Sequence, residues 1–167
     1  MARRVRIVTD STSDLPAELA RAWDVTVVPL SVHFGDRTYR DGVDITRREF
    51  YARLQREKEL PRTSQPPPPL FEAAFRSLLD NDCDVVAILI SSTLSGTFNV
   101  AQLVARTLAP ERIRVLDSGL VTLGTMAVVR AAALRAREGA ALDEVARYAG
   151  DVARRATFFA MVDTLEY

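Results

Sequence analysis

The chain has 167 residues, 48% of them hydrophobic, and 22 basic side chains against 22 acidic ones for a formal net charge of zero. That length buries one core and fits one domain better than two, and the charge balance leaves no overall field to favour nucleic acid or an anionic membrane surface. Cys83 is the only cysteine, His33 the only histidine and Lys58 the only lysine, which excludes intramolecular disulfides, multi-cysteine metal sites and the lysine-bearing P-loop. None of the 7 glycines builds the G-x-G-x-x-G dinucleotide fingerprint.

In chain order, "MARRVRIVTD" runs from arginines straight into a short strand pattern, with no apolar leader, and no apolar run anywhere reaches the roughly 18 residues of a membrane span. A cytoplasmic address without integral membrane association is the expectation. The hydroxyl-rich turn "DSTSD" follows, then an amphipathic helix in "LPAELARAW" with Pro16 in its first turn. "VTVVPLSVHF" and "RTY" flank Gly35 and Asp36 as a hairpin or an extended arm, and "TRREFYARLQREKE" is helical, with Phe50 and Leu54 on one face. In "PRTSQPPPPLF", four consecutive prolines predict a stiff extended loop over residues 65–69 that holds Thr63, Ser64 and Gln65 still.

A helix with Phe71, Phe75, Leu78 and Leu79 at helical spacing comes next, then "DVVAILI", a continuous apolar run suited to a strand buried on both faces. "SSTLSG", the helix "TFNVAQLVARTLA", the strand "RIRVLD", the turn "SGLVTLG" and the helices "TMAVVRAAALRARE" and "ALDEVARYAGDVARRA" complete the alternation, and "TFFAMVDTLEY" begins a β-type run. The expected fold is α/β: three layers, a mostly parallel sheet with helices on both faces. Ligands bind at the carboxyl ends of such strands, and three of those ends carry hydroxyl clusters: residues 10–14, residues 91–97, and Asp117 with Ser118.

Two readings of Ser95 stand open. Its hydroxyl caps the helix that begins beside it, or it joins the free amides of Gly96 and Thr97 in receiving a carboxylate or phosphate. Thr63 and Ser64 close the same anion from the proline loop, or are turn-forming hydroxyls. A small hydrolase or phosphotransferase using Asp10 and Ser95 is the competing class, but a serine triad has only His33 for its base, "TLSGT" lacks the G-x-S-x-G elbow, and no lysine neighbours Asp10 in sequence. Cys83, between two aspartates, reads as a packing residue.

Taken together, "VTDSTSDLP", "YRDGVDIT", "PRTSQP", "SSTLSGTF", "VLDSGLVTLG" and "VDTLEY", in that order, closely resemble the DegV family of bacterial fatty-acid-binding proteins, over essentially all 167 residues. The resemblance implies the N-terminal domain of such a protein, a carrier with no catalysis and no cofactor of its own that presents a long-chain fatty acid to a partner fatty-acid kinase. It also implies that the acyl carboxylate is held by the threonine of T-S-Q and the serine of L-S-G-T, here Thr63 and Ser95, with Ser64, Gly96 and Thr97 as further candidates and no metal. Family members continue into a second α+β domain, so residues 1–160 are expected to be the first domain and residues 161–167 the opening of the second. Pro67, Pro68 and Pro69 depart from the family pattern and would stiffen or shift the Thr63 loop.

Overall fold

The computed structural model describes residues 3–57, 59–159 and 161. Strands β1 (Arg4–Asp10), β2 (Val25–Val28), β6 (Cys83–Leu89) and β7 (Ile113–Asp117) form one sheet in the order β2-β1-β6-β7, with every pairing parallel. The run "DVVAILI" supplies the central β6, whose side chains point alternately into two cores. Val86 and Ile88 join Ile7 on one face, under α5 (Leu123–Arg137) and α6 (Leu142–Arg155), where Val128, Val129, Ala132 and Val145 meet them. Val85, Ala87 and Leu89 join Val8 on the other, under α3 (Pro68–Asp80) and α4 (Thr97–Leu108). Both faces are buried, so the strand needs no polar alternation, and the three-layer expectation holds.

The helices fit their places through the residues at the contact. Phe71 and Phe75 of α3 are wholly buried, each contributing about 1.5–3 kcal/mol of burial, while Ala101 and Ala105 let α4 lie close on the sheet. Helix α1 (Ala17–Trp23) ends at Asp24, whose φ of 61° swings the chain directly into β2; aspartate tolerates that left-handed conformation better than most residues.

A second, antiparallel sheet is the main addition to the sequence reading. Strand β3 (Ser31–Phe34) turns through Gly35, φ 54°, into β4 (Arg37–Arg40), as the hairpin reading expects, and also pairs with β5 (Arg62–Ser64), giving the order β4-β3-β5. Val32, Phe34 and Ile45 make its own small core, against Tyr39 and Phe50, the latter from α2 (Arg47–Leu54), which opens on a capping box between Thr46 and Glu49.

The extended loop expected over residues 65–69 is therefore shorter than the composition suggests. Thr63 and Ser64 lie on an edge strand, and Pro68 and Pro69 are the first two residues of α3. The first amides of a helix have no intrahelical acceptor, so proline costs nothing there; only residues 65–67 remain extended. The β-type run expected after Ala156 is not formed over residues 157–159 or at Met161. The rest of it lies outside the described residues, as does almost all of the segment assigned to the opening of a second domain; Lys58 lies outside them too.

Candidate functional site

The carboxyl ends of β1 and β6 are sewn together by Asp10. Its Oδ2 accepts from the Ile90 amide at 2.9 Å, its Oδ1 accepts from the Thr12 amide at 2.9 Å and from the Thr12 hydroxyl, and its carbonyl accepts from Ser13 Oγ at 2.9 Å. Asp10 is fully buried. Burial pushes its carboxyl above the ordinary value, opposed by the hydrogen bonds from Thr12 and Ile90 and reinforced by the charge of Asp41. Both oxygens thus hold the seam between β1 and β6, a structural use of this carboxylate.

Residues 91–97 fold over this seam. The Thr97 amide donates to Ser95 Oγ at 3.3 Å, and the hydroxyls of Ser95 and Thr97 pair at 2.9 Å, so the capping reading of Ser95 is present in the geometry. Thr97 is completely buried and acts on Ser95. A hydroxyl carries two lone pairs and one proton; when both Thr97 donors fill the lone pairs, the Ser95 O–H remains free to donate.

Thr63 and Ser95 line one cleft of about 600 Å³, together with Thr12, Asp41, Gln65 and Gly96 among others. Thr63 sits opposite Val32 in the β3–β5 pairing and shares that face with it, whereas Ser64 sits opposite Ser31. The Ser64 hydroxyl pairs with His33 Nε2 at 2.9 Å, while His33 Nδ1 meets Thr38 Oγ1 at 2.9 Å. Both ring nitrogens of the only histidine are thus engaged by hydroxyls of its own sheet. His33 lines neither this cleft nor its neighbour.

A second cleft of about 640 Å³ opens beside the first and shares Val32, Asp41 and Thr63 with it. Its walls are largely apolar: Leu15, Val27, Pro29, Val43 and Phe50, with Tyr51 at 57% exposure. Arg47 Nη2 donates to Asp14 Oδ1 at 2.7 Å and ties α2 to the turn after β1 across this opening. A chamber of mixed lining that carries the hydroxyls, and a more apolar groove that shares Thr63 with it, suit a ligand with a compact oxygen-rich head and a hydrocarbon body.

Two residues of the chamber escape the motif reading. Asp41, from "YRDGVDIT", places a carboxylate in it, and Gln65 lies directly against Gly96; residue type alone signalled neither role. Thr12 belongs to the "DSTSD" turn already singled out. The third hydroxyl cluster does not reach the chamber. Asp117 Oδ1 accepts from the amides of Ser92 at 3.1 Å and Gly119 at 2.9 Å, and Ser118 is buried against Thr125 and the Leu120 backbone. These side chains hold the loop to its neighbours. Cys83 is buried, as a packing residue should be. Among the described residues no group of three or more His, Cys, Asp or Glu could hold a metal ion, and no helix is long and apolar enough to cross a membrane.

The whole described length matches known proteins. A family model described as "Uncharacterised protein, DegV family" matches residues 4–167. A DegV domain-containing protein of Caldanaerobacter subterraneus is 37% identical over 164 residues, covering 98% of this chain and 58% of that protein. One of Streptomyces coelicolor is 37% identical over 168 residues, covering 100% and 59%. Among solved structures, a DegV family protein of Thermus thermophilus described by its fatty-acid binding superposes with a TM-score of 0.82 at 36% identity, over 90% of this chain and 54% of that one. DegV of Bacillus subtilis, described as a fatty acid binding protein, gives 0.84 at 29% identity, over 92% and 55%. The chain thus spans little more than half the length of these relatives.

Proposed function

This chain belongs to the DegV family, and from that premise we propose that it holds a long-chain fatty acid, with the carboxylate between Thr63 and Ser95, and presents that head to a partner fatty-acid kinase in the bacterial cytoplasm. The observation that carries the reading is that Thr63 and Ser95, 32 positions apart in sequence, line one polar chamber whose boundary at Thr63 is also the mouth of an apolar groove. The solved relatives described as fatty-acid-binding proteins support the choice of ligand.

The division of labour follows from magnitudes. A sixteen-carbon acid has about fourteen methylenes, each worth on the order of 0.8 kcal/mol when buried, a gross contribution of about 11 kcal/mol. A hydrogen bond to the charged head adds about 1.5–3 kcal/mol. The hydrocarbon supplies most of the affinity; the hydroxyls fix which end lies in the chamber. Asp41 adds a negative charge to the same chamber, so the head is held by directed donors against an unfavourable local charge. In this reading the chain acts as a carrier, with the nucleotide and metal of phosphoryl transfer brought by the kinase; that Asp10 and His33 are engaged in structural hydrogen bonds supports a carrier over an enzyme built on Asp10 and Ser95.

The test is retention of fatty acid by the purified protein, read by native mass spectrometry and by titration with palmitate. Thr63→Val and Ser95→Ala each remove one donor and should each weaken binding about 10- to 150-fold while leaving the circular dichroism spectrum unchanged. Retention equal to that of the unsubstituted chain in both variants would discard the assignment of the head site.

A further inference from the structure

Gly96 is in an ordinary helical-region conformation, φ −71° and ψ 0°, so nothing about its backbone demands glycine. Space does. A Cβ built on Gly96 would stand 2.1 Å from Gln65 Oε1, 3.0 Å from Gln65 Cδ and 3.3 Å from Gln65 Nε2. The whole carboxamide of Gln65 therefore occupies the volume that any other residue's side chain would need. This contact joins the residue that follows β5, the strand carrying Thr63, to the residue between Ser95 and α4. Among the described residues it is the only contact below 3 Å that an added Cβ would make at a glycine.

The carboxamide, on an exposed residue, is also free of hydrogen-bonding partners among the described residues. Gln65 and Gly96 both line the polar chamber, and among the described residues no hydrogen bond forms to the Gln65 amide, although neighbouring Thr12, Ser64 and Ser95 all have protein partners. A primary amide brings two N–H donors and an acceptor. The chamber's other polar side chains are hydroxyls and one carboxylate, and its lining includes no lysine, arginine or histidine. An incoming acid head meets neutral donors from this part of the chain, and Gln65 is the richest of them.

We propose that Gln65 is a third head-group residue of this site: its side-chain N–H donates to the acid's oxygen, and the bare Cα of Gly96 is the seat that aims it. The proposal rests on the fatty-acid reading above and adds to it a specificity element, since an amide donor of this kind favours a free acid over an ester of the same acyl chain. Gly96 contributes by what it lacks. Its neighbour Pro66 is buried and restricts Gln65 toward extended backbone, so the glutamine reaches the seat without a flexible hinge beside it.

The experiment compares palmitate with methyl palmitate, titrated into the chain and into four variants. Gln65→Met keeps a side chain of similar length in the seat but has no N–H; Gln65→Ala empties the seat; Gly96→Ala fills the seat with a methyl and expels the amide; Gln65→Ala/Gly96→Ala does both. Each single variant should lose about tenfold or more in affinity for the acid and change little for the ester, and the double variant should match Gln65→Ala, because the methyl has nothing left to displace. Gln65→Met binding the acid as well as the unsubstituted chain would overturn the proposal, showing that the glutamine only packs. A double variant substantially weaker than Gln65→Ala would overturn it too, since Gly96 would then be needed by the ligand itself. Acid binding that depends on Thr63 and Ser95 but not on Gln65 sinks this proposal alone; a chain that takes up neither compound sinks the carrier reading with it.

Discussion

Replacing Asp10 by alanine separates a structural carboxylate from a catalytic one. In the folded chain three donors converge on it, the Ile90 and Thr12 amides and the Thr12 hydroxyl. The register between β1 and β6 runs through Thr9↔Ile88 and stops, so Asp10 is what carries the connection on to Ile90. Ile90 is buried at 7% exposure, and leaving its N–H unpaired costs about 1–3 kcal/mol; the Thr12 donors are half-buried and reach water, adding about 1 kcal/mol. The variant should lose about 2–4 kcal/mol, which for a urea slope near 2 kcal/mol/M lowers the unfolding midpoint by about 1–2 M. The pH dependence carries a sign. Because burial raises the native carboxyl above its ordinary 3.8, the folded chain keeps its proton over a window in which the unfolded chain has released it. Wild-type stability is therefore full below about pH 4 and declines as pH rises through the raised native value, a decline the alanine variant lacks, so the penalty for the substitution shrinks from pH 4 toward neutrality. An unchanged midpoint, or a penalty that grows with pH over that range, would refute the role assigned to this side chain.

Two further outcomes follow from the same region. Asp41→Asn removes the like charge from the head chamber and should tighten fatty-acid binding severalfold at pH 8 and low salt, an advantage of about 1 kcal/mol that disappears in titrations at a pH where the acid is protonated; weaker binding at pH 8 would mean the carboxylate helps to hold the ligand. Thr122 has φ 49° and ψ −128°, a conformation suited to glycine, while its amide donates to the Thr12 carbonyl at 3.0 Å. Thr122→Gly relieves about 1–3 kcal/mol of strain against a glycine entropy cost of about 0.5–1 kcal/mol, and calorimetry should find the melting temperature raised by a few degrees.

The parallel sheet was legible because burial on both faces leaves an unmistakable trace: seven residues of β6 with hardly a polar side chain, flanked by helices whose apolar residues recur every three or four positions. The second sheet was legible only in its hairpin. Strand β5 is three exposed residues, Arg62–Ser64, too short and too polar to show alternation, and it becomes a strand because β3 offers it a partner from a distant part of the chain. Proline misled in the opposite direction: its missing amide rules out a central strand, yet the same property suits the first turn of α3. At the site, Thr63 and Ser95 were found through the order of several short motifs, and the physics of either residue alone left capping and turn readings open. The contact of Gln65 with Gly96 has no sequence signal, because a glycine kept for space looks the same as one kept for a positive φ until the atom it makes room for is known.

Capping and binding at Ser95 are compatible readings. A serine that only capped α4 would need one lone pair, and the Thr97 amide at 3.3 Å supplies the donor. The buried Thr97 hydroxyl lies 2.9 Å from the same oxygen, and either hydroxyl can donate to the other. When Thr97 is the donor, both lone pairs of Ser95 are filled and its remaining capacity is purely that of a donor. In that arrangement the proposed ligand chemistry follows from the cap: the more completely Thr97 satisfies this oxygen, the less it would accept from an alcohol or an ammonium group and the better it would suit a carboxylate, which only accepts. The same logic runs through Ser64, whose hydroxyl is taken by His33, and Thr12, whose hydroxyl donates to Asp10. Of the residues proposed to meet the ligand, Thr63 and Gln65 form no side-chain hydrogen bond among the described residues, and Ser95 keeps a proton to give when Thr97 is the donor.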